Sequence, residues 1–123
     1  MPSELIHTSW SAIEPEQLNP LLTRQFVSGS EAMVSRLVLT KGCIVPRHSR
    51  PNEQISTIVS GALKFLLGED ENDLREEIIR AGELLVIPGN LPHSAEALED
   101  TVNIDIFAPP RQDWLNKTDS YLR

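Results

Sequence analysis

Turn-forming residues cut this chain into short apolar segments about ten residues apart, a spacing that suits strands and leaves little room for helices. The breaks fall at Ser28-Gly29-Ser30, Ser60-Gly61, Gly68 to Asp73, Ala81-Gly82, Pro88-Gly89-Asn90 and Glu99-Asp100. Between them, alternation or β-branched content predicts strands over 22–27, 32–40, 54–59, 62–67, 74–80, 84–87, 93–98 and 101–107. In the second of these, Met33, Ser35, Leu37 and Leu39 share one face, and Val34, Arg36, Val38 and Thr40 the other. The fold class expected is all-β, a sandwich or barrel. Helix signals are confined to the ends. Residues 14–17 are able to start one turn, and Arg111–Leu115 another. The tail after Trp114 is polar, and is expected to stay loose unless it docks on a neighbouring subunit.

The length of 123 residues is that of one domain, 1–123, able to bury a core without staples. A net charge of −7 argues against nucleic acid as a partner. The acidic runs at 69–77 and 96–100 read as solvated loops. A small acidic ligand stays compatible, because Arg47, Arg50 and Arg111 are able to make a pocket locally basic. Cys43 is the one cysteine, so no internal disulfide forms and a reducing, cytoplasmic location is expected. Neither a basic-then-apolar leader nor a long apolar run is visible, so no membrane partner is expected.

Chemistry concentrates in two punctuated segments. The first runs from Gly42 through His48, Arg50, Glu53 and Gln54 to Gly61; the second runs from Gly82 through Pro88 to His93. A strand from Gln54 places Gln54, Ser56 and Ile58 on one face. The last strand carries two sets, Val102, Ile104 and Ile106 against Asn103, Asp105 and Phe107. A carboxylate between apolar residues in a central strand is costly unless it is paired or faces a wet pocket. Trp10 and Trp114 read as packing residues. Cys43 reads as core. His7 belongs to no motif.

The two segments resemble the two motifs of the cupin superfamily. Gly42, His48, Gln54 and Gly61 fall at positions of the first motif, and Gly82, Pro88 and His93 at those of the second. Gln54 holds the carboxylate position, Arg50 stands where the family has its second histidine, and Asn90 replaces the turn glycine. The resemblance implies a double-stranded β-helix, or jelly roll, that is usually dimeric. Its barrel would span about 24–108, with an extension over 1–23 and a tail over 109–123. A narrower likeness rests on Pro92 to Thr101 and on Asp105-Ile-Phe107-Ala-Pro-Pro-Arg111. These stretches look like the small cupins of pectin and alginate breakdown that open unsaturated monouronates. That likeness implies a divalent metal (Zn, Ni, Fe or Mn) on His48, Gln54 and His93. It implies Asp105, Phe107 and Arg111 as catalytic residues, and Arg50, Phe107 and Arg111 as residues that bind an acidic ligand.

Arg50 divides the expectations. Pointing inward, its guanidinium would repel a metal ion by about 4 kcal/mol at an effective dielectric of about 20. It would then take over the anion-binding role through paired hydrogen bonds. Pointing outward along its aliphatic stem, it would leave the metal site usable. Three functions remain open at this point: a sugar-acid isomerase or ring-opening enzyme, a ligand-binding cupin without turnover, and a cupin dioxygenase.

Overall fold

The computed structural model describes residues 4–123. Ten strands form two antiparallel sheets: β1 Glu16–Asn19, β2 Leu22–Ser28, β3 Met33–Leu39, β4 Ile44–His48, β5 Glu53–Ser60, β6 Ala62–Leu67, β7 Arg75–Arg80, β8 Leu84–Ile87, β9 His93–Ala97 and β10 Thr101–Ala108. One sheet runs β1-β2-β3-β10-β5-β8 and the other β4-β9-β6-β7. The pairing is nested. β6 pairs with β7, β5 with β8, β4 with β9 and β3 with β10, and successive pairs fall in alternate sheets. A long antiparallel ribbon folded in this way is a jelly roll, as the strand spacing predicts.

Side-chain alternation sorts residues between barrel interior and surface. Met33, Leu37, Leu39, Ile58, Phe65 and Ile87 are buried between the sheets. The outer face of the six-stranded sheet is also apolar. Val27, Val34, Ile106, Ile55 and Val86 lie in register across five strands. Val86 is 58% exposed.

Two expectations are corrected. Residues 14–17 do not start a helical turn: Glu16–Asn19 is β1, paired with β2 through Glu16 opposite Arg24, and a 3-10 turn lies at Trp10–Ala12. The Glu16 carboxylate is 3.3 Å from the Arg24 guanidinium, a cross-strand pair that favours the extended form. The tail after Trp114 is not loose. The predicted turn is present as α1 (Gln112–Leu115), and the chain then packs back on its own barrel. Asp119 and Leu122 are buried, and Asp119 pairs with Arg24 at 2.5 Å, both side chains being withdrawn from solvent. A polar sequence hid this because the anchor is a buried ion pair, not an apolar stripe.

Gly61 and Gly82, both read as motif glycines, have φ of +89° and +84°. A Cβ on Gly61 would lie 2.3 Å from the Asp100 carbonyl oxygen, whereas one on Gly82 meets nothing within 4 Å. Gly82→Ala should therefore cost about 1–2 kcal/mol from backbone strain alone. Gly61→Ala should cost at least about twice that, since backbone must also move. Urea midpoints with unchanged slopes test the order.

Candidate metal and acid–base site

His48 and His93 are directly opposite each other on β4 and β9, with ring centroids 4.4 Å apart. His48 Nδ1 is 2.9 Å from the Pro46 carbonyl, and His93 Nδ1 is 2.9 Å from the Leu91 carbonyl. A carbonyl only accepts, so each Nδ1 donates its hydrogen and each Nε2 keeps a free lone pair. His93 Nε2 is buried without a hydrogen-bond partner. Burial, then the neighbouring His93, pushes the His48 pKa down to about 4; the Pro46 carbonyl opposes this, while Arg111 and Arg50 add to it. Burial also lowers His93. Both imidazoles are neutral near pH 7.

The facing sheet contributes an acid. β10 lies between β3 and β5 and turns Asn103, Asp105 and Phe107 inward, with Val102, Ile104 and Ile106 outward. Ser56 is registered against Asp105, and Gln54 against Phe107. Gln54 Nε2 donates to Ser56 Oγ at 2.9 Å, and Ser56 Oγ donates to Asp105 Oδ1 at 2.6 Å. Asp105 is 3% exposed. Burial raises its pKa above the usual carboxylate value, while bonds from Ser56 and Asn103, the Arg111 charge and Gln54 pull it back. The result is a carboxyl that holds its proton more tightly than a solvated one.

Arg111 follows the end of β10 and is buried. Asp113 accepts from its Nε and Nη2 at 2.8 and 2.7 Å, and Tyr121 Oη is a further partner. Its guanidinium lies 5.0 Å from the rings of both Phe107 and Trp114. His48, Gln54, His93, Asp105, Phe107 and Arg111 all line one cavity of about 40 Å³ inside the barrel.

Arg47 and Arg50 are the candidates that the fold leaves out of that lining. Arg47 turns to the acidic loop instead, 3.4 Å from Glu71 and donating to the Glu69 carbonyl at 3.0 Å. Arg50 is held near the C-terminal segment. Its Nε is 3.3 Å from Asp113, its Nη1 donates to the Ser49 carbonyl at 2.7 Å, and its guanidinium lies 5.0 Å from the Tyr121 ring. The outward alternative is thus the one adopted, and Asp113 offsets both Arg50 and Arg111. Sequence reasoning missed Asp113, Tyr121, Ser56 and Asn103. Period-two alternation around Gln54 and Asp105 carried a signal for Ser56 and Asn103; Asp113 and Tyr121 had none.

The donor set fits a divalent ion held by few protein atoms. His48 and His93 offer Nε2 lone pairs, with no proton to displace near pH 7. The Gln54 amide nitrogen is engaged with Ser56, which leaves its oxygen as the third donor. No group of three or more His, Cys, Asp or Glu side chains able to hold a metal occurs among the described residues. A family model for the cupin domain matches residues 35–107. The chain belongs to the cupin family. It is similar to KdgF from a Halomonas species, at 26% identity and a TM-score of 0.74, covering 86% of this chain and 96% of that one. An RmlC-like cupin from Shewanella frigidimarina NCIMB 400 superposes with a TM-score of 0.79 at 24% identity, over 93% and 99% of the two chains. A variant oxalate decarboxylase from Bacillus subtilis gives 0.75 at 17%, covering 83% of this cupin and 29% of the longer chain. The last two likenesses show the fold alone. No curated protein matches. No helix among the described residues is long and apolar enough to cross a membrane.

The histidine shift fixes a pH dependence. His48 titrates lower in the fold than its ordinary value of 6.5, so the unfolded chain binds more protons between these limits. Stability of metal-free protein is therefore full above pH 6.5 and falls as pH drops toward about 4. The contribution of His48 is about 3 kcal/mol at most. His48→Gln should flatten the fall, as read by melting temperature against pH.

Proposed function

We propose that this cupin binds a small sugar acid and isomerises an unsaturated monouronate by ring opening. The observation that carries the reading is Asp105, a buried carboxyl with a raised pKa facing the cavity that two neutral imidazoles also line. Separate acid and base groups at one pH are what proton relocation needs. The KdgF similarity and the motif Asp105, Phe107 and Arg111 support the same assignment.

In this reading the C1 hydroxyl of the substrate gives its proton to His48 or His93. The bond between C1 and the ring oxygen breaks, and C1 becomes an aldehyde. The ring oxygen stays on C5 as a ketone, and C4 receives a proton from Asp105. The net change moves one proton within the substrate, and no co-reactant is needed. Arg111 neutralises the substrate carboxylate, and Phe107 packs beside it. A divalent ion on His48, Gln54 and His93 would supply Lewis acidity to substrate oxygens; it would also take both Nε2 lone pairs, so the imidazoles serve as the base only in the metal-free form, and with the ion bound the C1 proton would leave to solvent.

The second reading is a binding cupin without turnover. It is favoured by Arg111, whose hydrogen bonds already go to Asp113 and Tyr121. Asp105→Asn separates the two. An enzyme loses turnover by about 10²–10⁴-fold. A binding protein changes affinity only, and in both cases the melting temperature holds. Elemental analysis of protein purified without a tag or chelator should find about one transition metal per chain, lost in His93→Ala. Metal absent even after reconstitution with zinc, nickel, iron and manganese would favour metal-free anion binding.

The partner proposed is a second copy, on the outer face of the six-stranded sheet. Its strands β2, β3, β10, β5 and β8 present the row from Val27 to Val86, with Arg36 and Glu53 as the charged residues. Copies of a chain with net charge −7 repel one another least where that charge is absent. Ile106→Lys should halve the mass seen by light scattering and leave the site residues in place.

A further inference from the structure

The C-terminal end of the chain folds back against the cavity. Tyr121 and Leu122, on the 3-10 turn Ser120–Leu122, form part of its lining. The Tyr121 ring lies 4.7 Å from the His48 ring, and its hydroxyl is a hydrogen-bond partner of Arg111. Leu122 is buried. The two sides of this turn are held unequally. Before it, Asp119 is locked to Arg24 by a buried ion pair at 2.5 Å. Within and after it the polar ties lack a buried ion pair of that kind; they include the Tyr121–Arg111 bond. Asn19 Nδ2 donates to the Leu122 carbonyl at 2.9 Å, and the half-exposed Arg123 reaches Asp119 at 3.3 Å. A fixed point followed by a three-residue turn is able to act as a hinge.

With the turn in place the remaining cavity, about 40 Å³, accommodates two or three waters. A sugar acid is several times larger. Arg111, the group that would recognise its carboxylate, is also engaged, bonded to Asp113 and Tyr121.

We propose that Ser120–Leu122 is a displaceable plug that occupies the ligand's place, with the Tyr121 phenol on the Arg111 position that a ligand carboxylate takes. The identity of that ligand rests on the sugar-acid reading above; the plug itself does not. A carboxylate forms charge-assisted bonds to a guanidinium that are stronger than those of a neutral phenol, so the acid group is suited to replace Tyr121. Until it does, apparent affinity is reduced by the small open fraction.

Three variants test this beside the full chain: Tyr121→Ala, Tyr121→Phe and a chain ended at Asp119. All keep the Asp119–Arg24 pair, and circular dichroism with thermal melting checks their fold. Should the shortened chain fail to fold, the two substitutions carry the test. Two readouts are used. Diethyl pyrocarbonate modification of His48 and His93 is followed by mass spectrometry, with exposed His7 as internal reference. Binding of sodium galacturonate is followed by calorimetry. An opened plug raises the modification rate of both cavity histidines about tenfold in Tyr121→Ala and in the shortened chain, with His7 unchanged. Tyr121→Phe, which loses only the hydroxyl, shows a smaller rise. Galacturonate binds about tenfold more tightly wherever the plug is opened. Faster modification without galacturonate binding in any form upholds the plug and overturns the sugar-acid reading. Unchanged modification rates, with galacturonate bound equally by all forms, overturn the plug and leave the sugar-acid reading standing. Unchanged rates without binding overturn both.

Discussion

Strand β10 is hydrogen-bonded along both edges, to β3 and to β5, and its register decides which side chains enter the barrel. Asn103, Asp105 and Phe107 go in; Val102, Ile104 and Ile106 go out. A slip of one residue would reverse every assignment. The interior position raises the Asp105 pKa, brings Ser56 within 2.6 Å of it and sets Phe107 under Arg111. The polar interior of the site and the apolar exterior of the sheet are thus two results of one register.

A second line of contacts joins the site to the closing segment. Arg111 lies against both Phe107 and Trp114, and Arg24 approaches the same indole at 4.4 Å. Two buried guanidiniums therefore share Trp114. Each also has its own carboxylate, Asp113 for Arg111 and Asp119 for Arg24. Buried charge of this kind is tolerated only when paired, and removing one partner leaves the other uncompensated. The segment 113–119 is held in place by its acids as well as by Trp114.

The barrel was legible because its turns are written in glycine and proline and its strands in alternation. Ala62–Leu67 and Leu84–Ile87 match their predicted limits. β1 escaped because four residues with a proline before them carry no period, and its partner is supplied by Arg24 from elsewhere. The histidine pair and Gln54 were visible as motif positions, and the structure gathers them around one cavity with Asp105. Arg50 showed the limit of spacing arguments. Its sequence position put it where a metal ligand is expected, but the nearby Asp113 carboxylate, set by tertiary structure, draws it outward. Tyr121 lay in a polar tail with no periodic signal, and its placement depends on the Arg24–Asp119 pair, which spans most of the chain.

The fixed imidazole tautomers have a consequence for the entropy of the site. Each ring is oriented by a carbonyl two residues earlier in the chain, Pro46 for His48 and Leu91 for His93. Rotation of either ring would forfeit that bond. The two nitrogens that face the cavity are thus aimed before anything arrives, and no conformational search is left for the arriving group to end. Selectivity among ligands then falls to geometry: a species whose preferred bond angles differ from those set by the β4–β9 ladder must deform a hydrogen-bonded sheet to be accepted.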